Sequence, residues 1–428
     1  MRSPDGSSGR AIAARVLARV EQDRAYAAAA LAAEFERRPG LDPRERALAT
    51  ELTYGSLRTL GALSARLTKH IPRGLDKTDR AARVHLLIAA YQILLLDRVP
   101  AFAAVDAAVS LVRAERGPKL AGFANAVLRK VAAGGISLDR DAAILESAPE
   151  WLRQRLERDV GADEMRALVG AAGGEPAVAV RVRPGRALPD WLEQAERGRV
   201  SPLARLTRGE GDPRRRPGDG TSFVVQEEGA QVVALALGAR PGDRVLDACA
   251  GRGHKSSLIS EMLEGHGELW ASDLHPGKLA RLTSEHRRLG LIEARTTAVD
   301  LSVGVGDLPG EFRRILVDAP CTGSGTLRRR PEIALRLGPD DPARMGELQT
   351  RILRNAAGLA GPGGRVVYAV CSAFREEAED VLARVDDLLE PVPFDSSGLD
   401  VLQGVTSVRL LPLAHGTDGY FVASLRRR

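Results

Sequence analysis

The chain carries only three cysteines, and all three fall inside short motifs of its C-terminal half. Cys249 sits in Leu-Asp-Ala-Cys-Ala-Gly-Arg-Gly-His-Lys, Cys321 in Asp-Ala-Pro-Cys-Thr-Gly-Ser-Gly and Cys371 in Val-Tyr-Ala-Val-Cys-Ser. Taken singly, a cysteine at a strand end is usually a small buried hydrophobe. Cys321 and Cys371, however, each follow an apolar, β-branched run that reads as a strand feeding a loop, and Asp318 stands just before Cys321. That pattern puts two thiols and a carboxylate over one crevice at the carboxyl edge of a sheet, where α/β folds keep their chemistry. Such a pair suits methylation of a pyrimidine at carbon 5. That carbon is too weak a nucleophile to take a methyl group from a sulfonium until a thiolate adds at carbon 6 and turns the ring into an enamine. A carboxyl group at ring nitrogen 3 stabilises the adduct, and a second thiol can assist the elimination that frees the product.

A methyl donor needs a site of its own. Asp247 to Lys255 reads as a strand, then Gly251-x-Gly253, then a helix, a turn in which glycines let backbone N–H groups approach a nucleotide-like ligand. Asp273 closes the next apolar run about 20 residues further on, where an acidic side chain takes ribose hydroxyls. Together they suggest an adenosine-containing cofactor. Asp300, after Thr296-Thr297-Ala298-Val299, can contact the adenine end of the same ligand or simply cap its own turn. No P-loop is present, because no Gly-Lys-Ser/Thr follows a four-residue spacer.

These residues need a scaffold. From Thr221 onward, Arg244–Ala248, Glu268–Ser272, Arg314–Val317 and Arg365–Val370 are short apolar runs followed by turns and helical stretches, the pattern of buried parallel strands in a doubly wound sheet. Val408–Leu411 and Gly419–Leu425 add a closing hairpin at its edge. From Ala11 to Ala133 the spacing is helical throughout and predicts about five to seven helices without strands, with Asp42-Pro43 as an N-cap and first helical residue. Between them the signal weakens: Gly134-Gly135 marks a boundary, Trp151 opens a helix, Ala177–Val182 reads as a strand, and Arg208 to Gly220 is loop.

The totals set the class. A chain of 428 residues with 44% hydrophobic content implies two or three domains. Few cysteines without metal-ligand spacing argue for a reducing compartment and against a metal site. No apolar run approaches the roughly 20 residues of a membrane span, and the start, Met1 to Arg10, is polar. The protein reads as cytoplasmic. A formal charge of +6 permits a polyanionic partner, with arginine runs at 214–216, 328–330 and 426–428 as candidate contacts or plain solvated surface.

At these motifs the sequence resembles the RsmB (Sun, Fmu) family of RNA 5-methylcytosine methyltransferases. The family's loop Asp-x-Cys-Ala-Ala-Pro-Gly-Gly-Lys-Thr is matched by Asp247 to Ser256, Asp-Ala-Pro-Cys-Ser-x-x-Gly-x-x-Arg-Arg-x-Pro-Asp by Asp318 to Glu332, and Tyr-x-Thr-Cys-Ser by Tyr368 to Ser372. Phe223 to Gln231 is similar to its opening motif and Gly416 to Phe421 to its closing one. Arg44 to Leu60 and Val105 to Lys130 resemble the NusB-type RNA-binding domain fused to these enzymes. The resemblance implies an all-α NusB-like domain at 9–134, a small α+β connecting region at 135–220 that contacts RNA, and a Rossmann-like methyltransferase domain at 221–428. It implies S-adenosyl-L-methionine as cofactor and small-subunit rRNA as partner; the chain is expected to be a monomer, and the hydropathy and cysteine spacing above leave it without membrane or metal. By the same carry-over Cys371 is the nucleophile, Cys321 the residue that aids product release, and Asp318 the group facing the base edge. Cys249, Ala250, Gly251, Arg252, Gly253, His254, Lys255, Asp273, Asp300 and Asp318 would contact the cofactor.

The chain departs from the family pattern at Arg252 (usually proline), His254 (usually glycine), Ala373, Arg375 and Ala378 near a usual Pro-Glu-Glu-Asn run, and Arg183 (generally asparagine). Three other readings stay open. In DNA cytosine methyltransferases the Pro-Cys thiol attacks, which would make Cys321 the nucleophile. A non-catalytic RNA-binding or ribosome-assembly factor would keep the helices and basic surface without the cofactor. A methyltransferase for a small molecule or protein would leave both strand-end thiols without a purpose.

Overall fold

A computed structural model describes residues 8–134, 137–209, 211–395 and 398–428. Positions 1–7 of the polar start, Gly135 of the expected boundary and position 210 of the expected loop lie outside these. The chain divides into two compact units. The first comprises Met1–Gln154, Met165–Gly174 and Leu327–Leu337, and the second Arg155–Glu164, Glu175–Thr326 and Gly338–Arg428.

Up to Ala133 the first unit is built from α1 (Gly9–Asp23), α2 (Ala27–Glu36), α3 (Pro43–Arg58), α4 (Leu60–Thr68), α5 (Arg80–Leu95), α6 (Ala101–Arg116) and α7 (Pro118–Ala133). Local chemistry sets several of their starts. Asp42 accepts from the Arg44 N–H with Pro43 in the first turn of α3, Asp79 caps α5 through the Ala82 N–H, and Pro118 opens α7 after Gly117 at φ 84°. Their apolar faces share one core around Leu52, Leu63, Leu86, Ile88 and Leu128. Beyond them come α8 (Arg140–Ser147), α9 (Glu150–Val160) and α10 (Ala162–Val169).

The Arg328–Arg330 run belongs to this helical unit, although it follows a strand of the other. Helix α2 has no side-chain cap of its own at Tyr26, and the buried Glu332 supplies one, accepting from the Ala27 N–H at 3.1 Å. Arg58 donates to the Arg328 carbonyl at 3.0 Å, and the Arg336 guanidinium stacks over Tyr26 at 4.5 Å.

The second unit opens with a small antiparallel sheet of β1 (Val178–Val182), β2 (Glu196–Arg197), β3 (Ala204–Thr207) and β4 (Phe223–Val225) in the order β2-β3-β1-β4. The connecting segment expected at 135–220 is thus divided between the two units. The small sheet takes β4 from beyond residue 220, because Phe223 fills its core against Val180 and Leu192. Arg181 and Arg183 of β1 are buried, and Glu261 bridges both guanidiniums. Arg183 also donates to the carbonyls of Gly220 and Leu289, so this arginine, expected above as a departure from the family pattern, is consumed in structure. Short α11 (Asp190–Glu193) and α12 (Glu228–Ala236) complete this part.

The large sheet contains β5 (Arg244–Asp247), β6 (Glu268–Asp273), β7 (Arg295–Ala298), β8 (Phe312–Asp318), β9 (Ala360–Val370), β10 (Leu389–Pro391), β11 (Ser407–Leu410) and β12 (Tyr420–Arg427). Its order is β10-β12-β9-β8-β5-β6-β7, with β11 also pairing with β12. Strands β5 to β9 run parallel, linked in part by α13 (His254–Met262), α14 (Pro276–Leu289) and α15 (Asp341–Gly358), while α16 (Glu379–Ala383) and α17 (Pro412–His415) are short. Side chains alternate between two cores, Val245, Leu316 and Val367 on one face and Leu246, Val317 and Tyr368 on the other. The hairpin expected at the sheet edge is β11–β12, but β12 itself lies inside, antiparallel to β9, with β10 and β11 on its far side. The chain leaves β5 in one direction for β6 and β7 and returns for β8 and β9, so the switch point lies between β5 and β8. Among the described residues no helix is long and apolar enough to cross a membrane.

Candidate active site

The glycine loop and the segments carrying Asp273, Asp318, Cys321 and Cys371 converge on the carboxyl edge around that switch point. After β5, Gly251 takes φ 57° and Gly253 φ 86° before α13 begins. The Gly251 N–H donates to Asp273 Oδ2 at 3.1 Å from the end of the neighbouring strand, and the other oxygen of Asp273 accepts from the His275 N–H at 2.8 Å. A Cβ at Gly253 would stand 2.6 Å from Leu282 Cγ, so this position needs glycine for space as well as for φ. Asp247, at the end of β5, is buried, and its Oδ2 accepts from Ser256 Oγ at 2.6 Å while Oδ1 has no partner. Burial raises its carboxyl to about 7. A buried carboxylate with one oxygen unpartnered is costly, so Oδ1 stands ready to accept a donor. Cys249 is half-buried in the same turn, its thiol pushed up by burial and then by Asp247.

The two strand-end thiols meet. Strands β8 and β9 pair in parallel with Asp318 opposite Ala369, and the loops that follow bring Cys321 Sγ to 3.3 Å from Cys371 Sγ. The hydrogen bond to Cys371, followed by burial, raises Cys321 well above an ordinary thiol, so Cys321 stays protonated and can donate to Cys371. Lys255, from the first turn of α13, places Nζ 2.6 Å from Asp318 Oδ2. Burial works against its charge, yet Asp318 and then Cys371 hold the ammonium above its usual value. A fixed cation therefore stands beside the thiol pair and the carboxylate, the environment that favours a thiolate.

Residues 234–426 match the family described as 16S rRNA methyltransferase RsmB/F, and residues 7–133 the NusB family. Ribosomal RNA small subunit methyltransferase B of Thermus thermophilus is 32% identical over 98% of this chain and 97% of its own. The chain belongs to the RsmB/F methyltransferase family. A protein of Mycobacterium tuberculosis named as a methyltransferase is 36% identical over 94% of this chain and 93% of its own. Of solved structures, PH0851 aligns with a TM-score of 0.82 over 97% of this chain and 98% of its own, at 23% identity, which is a likeness of fold. NSun6 from Pyrococcus horikoshii with SFG covers 65% of this chain and 98% of its own at a TM-score of 0.55 and 18% identity.

In this RsmB/F chain the departures in the glycine loop have a simple geometry. The two left-handed positions fall on the two glycines that remain, and neither Arg252 nor His254 takes a positive φ, so no backbone strain follows from them. Both side chains are exposed. Asp300 lies just beyond β7, exposed, its carboxylate accepting from the Ser302 N–H at 2.9 Å and the Ser302 hydroxyl at 2.6 Å. It caps its own turn and sits at the same sheet edge, one strand beyond Asp273. The opening and closing motifs brace each other: Glu227 accepts from the Asp418 N–H at 2.9 Å, and a Cβ at Gly229 would stand 2.6 Å from the Tyr420 ring.

Two residues of the site escape a reading of the sequence. Asp247 reads there as no more than the strand end before the loop, although an acidic residue closing the strand ahead of a glycine turn is itself a signal. Glu377 is not singled out there, although it lies between Arg375 and Ala378 in the segment compared with the Pro-Glu-Glu-Asn run, and only the folded chain buries it beneath both cysteine loops. Among the described residues no three His, Cys, Asp or Glu side chains gather as metal ligands.

Proposed function

We propose that this protein methylates carbon 5 of a cytosine in RNA, with small-subunit rRNA as the substrate class, through a covalent adduct between Cys371 and carbon 6. The observation that carries the reading is the 3.3 Å approach of Cys321 and Cys371 beside the Lys255–Asp318 ion pair. Two thiols at that distance have no purpose in a transferase that methylates a heteroatom directly. S-adenosyl-L-methionine fits the β5 turn, where Asp273 suits ribose hydroxyls, the glycine loop leaves room for the ligand, and the unpartnered Asp247 Oδ1 suits its ammonium. When bound, this donor supplies an electrophilic methyl group.

The chain's own residues divide the remaining work. Lys255 and the Cys321 S–H stabilise negative charge on Cys371, whose sulfur forms the bond to carbon 6 while the ring π electrons shift toward carbon 5. Asp318, at the end of β8 beside the thiols, would face the base edge and support the electron-rich ring at nitrogen 3. After the methyl group is attached, a water molecule takes the carbon 5 proton, the C–H electron pair restores the double bond between carbons 5 and 6, the S–C6 bond breaks, and its electron pair returns to Cys371, where the Cys321 S–H again stabilises it. The reading needs free thiols, as a cytoplasmic setting provides.

An RNA substrate is supported by the small sheet. Arg197 of β2 and Arg205 of β3 are directly opposite in antiparallel register, and burial together with Arg197 lowers the Arg205 guanidinium. Like charges opposed across a ladder repel unless an anion joins them, and a phosphodiester is such an anion.

The test is transfer of label from S-adenosyl-L-methionine to total RNA of a strain lacking the gene, followed by bisulfite sequencing. One cytosine position should be protected by the wild-type protein and unprotected by Cys371→Ala. Transfer that survives Cys371→Ala, or label outside cytosine carbon 5, ends the proposal.

A further inference from the structure

Four hydrogen-bond donors converge on one buried carboxylate beneath the thiols. Glu377, fully buried in the loop after β9, accepts at Oε1 from the hydroxyl of Thr322 and from Ser372 Oγ, the latter at 2.6 Å. Its Oε2 accepts from the Thr322 N–H at 2.9 Å and from Gln349 Nε2 at 2.9 Å. Thr322 follows Cys321 directly, and Ser372 follows Cys371 directly. One carboxylate therefore holds the immediate neighbours of both thiols, from loops that belong to different strands.

The surroundings stiffen this bridge. Tyr368 donates to the Glu377 carbonyl at 2.7 Å, and Gln349 also donates to the Pro320 carbonyl at 2.9 Å, one residue before Cys321. Ser324 joins Ser372 at 3.0 Å and accepts from the Ala373 N–H at 3.0 Å. Each loop is thus tied on both sides of its cysteine, and Glu377 is the group on which the ties meet. Its carboxyl is raised by burial, and the four donors act against that rise. Burying a carboxylate away from solvent is costly unless its acceptors are filled, so this one is retained where its geometry is needed.

We propose that Glu377 is a positioning residue that sets the Cys321–Cys371 separation, acting through Thr322 and Ser372 without touching substrate. This rests on the reading of the pair as a thiol catalytic site, and the geometric part of it can be measured without any RNA. The length of the side chain and its two acceptor positions matter more than its charge. A glutamine has the same reach: its oxygen can accept from the Thr322 and Gln349 N–H groups while its amide donates to the two hydroxyls, which can rotate to accept. Aspartate falls one methylene short, and alanine removes the bridge.

The experiment uses full-length protein carrying Glu377→Ala, Glu377→Asp or Glu377→Gln. Proximity is read by adding diamide, which takes two electrons and two protons from the thiols to become a hydrazine as the S–S bond forms, and following Cys321–Cys371 cross-linking by mass spectrometry. Melting temperature and S-adenosyl-L-methionine affinity serve as folding controls. The proposal expects Glu377→Ala and Glu377→Asp to slow cross-linking about tenfold or more and to lower kcat with KM for the cofactor unchanged, as loss of orientation does. Glu377→Gln should restore both within about threefold. Where Glu377→Ala fails to fold, Thr322→Val with Ser372→Ala removes the same two hydroxyl ties and should slow cross-linking likewise. Wild-type cross-linking rates in the alanine or double variant, or failure of glutamine to rescue, overturn the proposal. Slowed cross-linking in proteins that never methylate RNA would uphold the bridge and defeat the functional reading instead.

Discussion

The sulfurs of Cys321 and Cys371 are fifty residues apart along the chain and 3.3 Å apart in space. On the proposed reading the two residues have unequal tasks: Cys321, held well above an ordinary thiol, keeps its proton, and Cys371 attacks the ring. Removing Cys321 leaves attack intact and weakens departure. Cys321→Ala should therefore accumulate a protein–RNA adduct that survives denaturing electrophoresis in the presence of the methyl donor. If the adduct forms instead in Cys371→Ala, the two assignments exchange, and the Pro-Cys thiol is the nucleophile.

Lys255 links the cofactor turn to the thiols through Asp318, so its charge is expected to matter for chemistry more than for binding. Lys255→Met should lower kcat/KM for methyl transfer by about tenfold or more. The acid limb of its pH–rate profile should move to higher pH, because the ammonium that favours a thiolate is gone. An unchanged profile would remove Lys255 from the mechanism.

Asp247 offers a test with a definite sign. Its native carboxyl titrates near 7 instead of 3.8, so the folded state holds a proton that the unfolded chain has already lost between those values. Stability from the neutral form is complete below the unfolded value and is lost as pH rises through about 7. An ammonium-bearing ligand requires the ionised form, so cofactor affinity should rise over the same interval. Asp247→Asn should flatten both slopes, read by denaturant unfolding and calorimetric titration at a series of pH values. Slopes equal to wild type would mean that the group does not titrate there.

The two glycines of the loop should respond differently to alanine. At Gly251 a Cβ meets nothing within 4 Å, and only the left-handed backbone is penalised, by about 1 kcal/mol. Gly253→Ala adds the clash with Leu282 and should cost about 2–3 kcal/mol, visible as a larger fall in Tm. Equal effects would show that the turn can shift to admit the methyl group.

Arg197→Glu with Arg205→Glu should weaken RNA binding and reduce its salt dependence, while S-adenosyl-L-methionine affinity stays at the wild-type value. A filter-binding salt series decides this. An unaltered salt slope would assign the pair to the protein surface alone.

Much of the scaffold could be read from local pattern. The runs ending at Asp247, Asp273 and Asp318 form strands because short, largely apolar sequence suits a sheet covered on both faces, and Asp42-Pro43 opens a helix because a capping carboxylate precedes a residue with preset φ. Arg183 was legible only as a departure, since nothing nearby in the chain announces that Glu261 waits for it across the fold. Leu327–Leu337 reads as a continuation of the Cys321 motif, yet Glu332 caps α2 of the helical unit, a role set by three-dimensional placement. The terminal arginines look like surface charge, but Arg426 pairs with Glu390 at 2.7 Å and Arg427 donates to the Gly358 and Ala360 carbonyls.

By itself the sequence determined which short segments could carry chemistry: residue types, periodicity and turn glycines are local properties, and they name the cysteines, the glycine loop and the strand-end acids. The tertiary structure decided which of them act together. The sheet order β9-β8-β5-β6 is not chain order, and only the pairing of β8 with β9 and β5 brings Cys371 to Cys321 and Lys255 to Asp318. Hydrogen-bonded strand neighbours lie about 5 Å apart whatever their separation in sequence, so contacts across fifty residues belong to the fold and to buried ties such as Glu377.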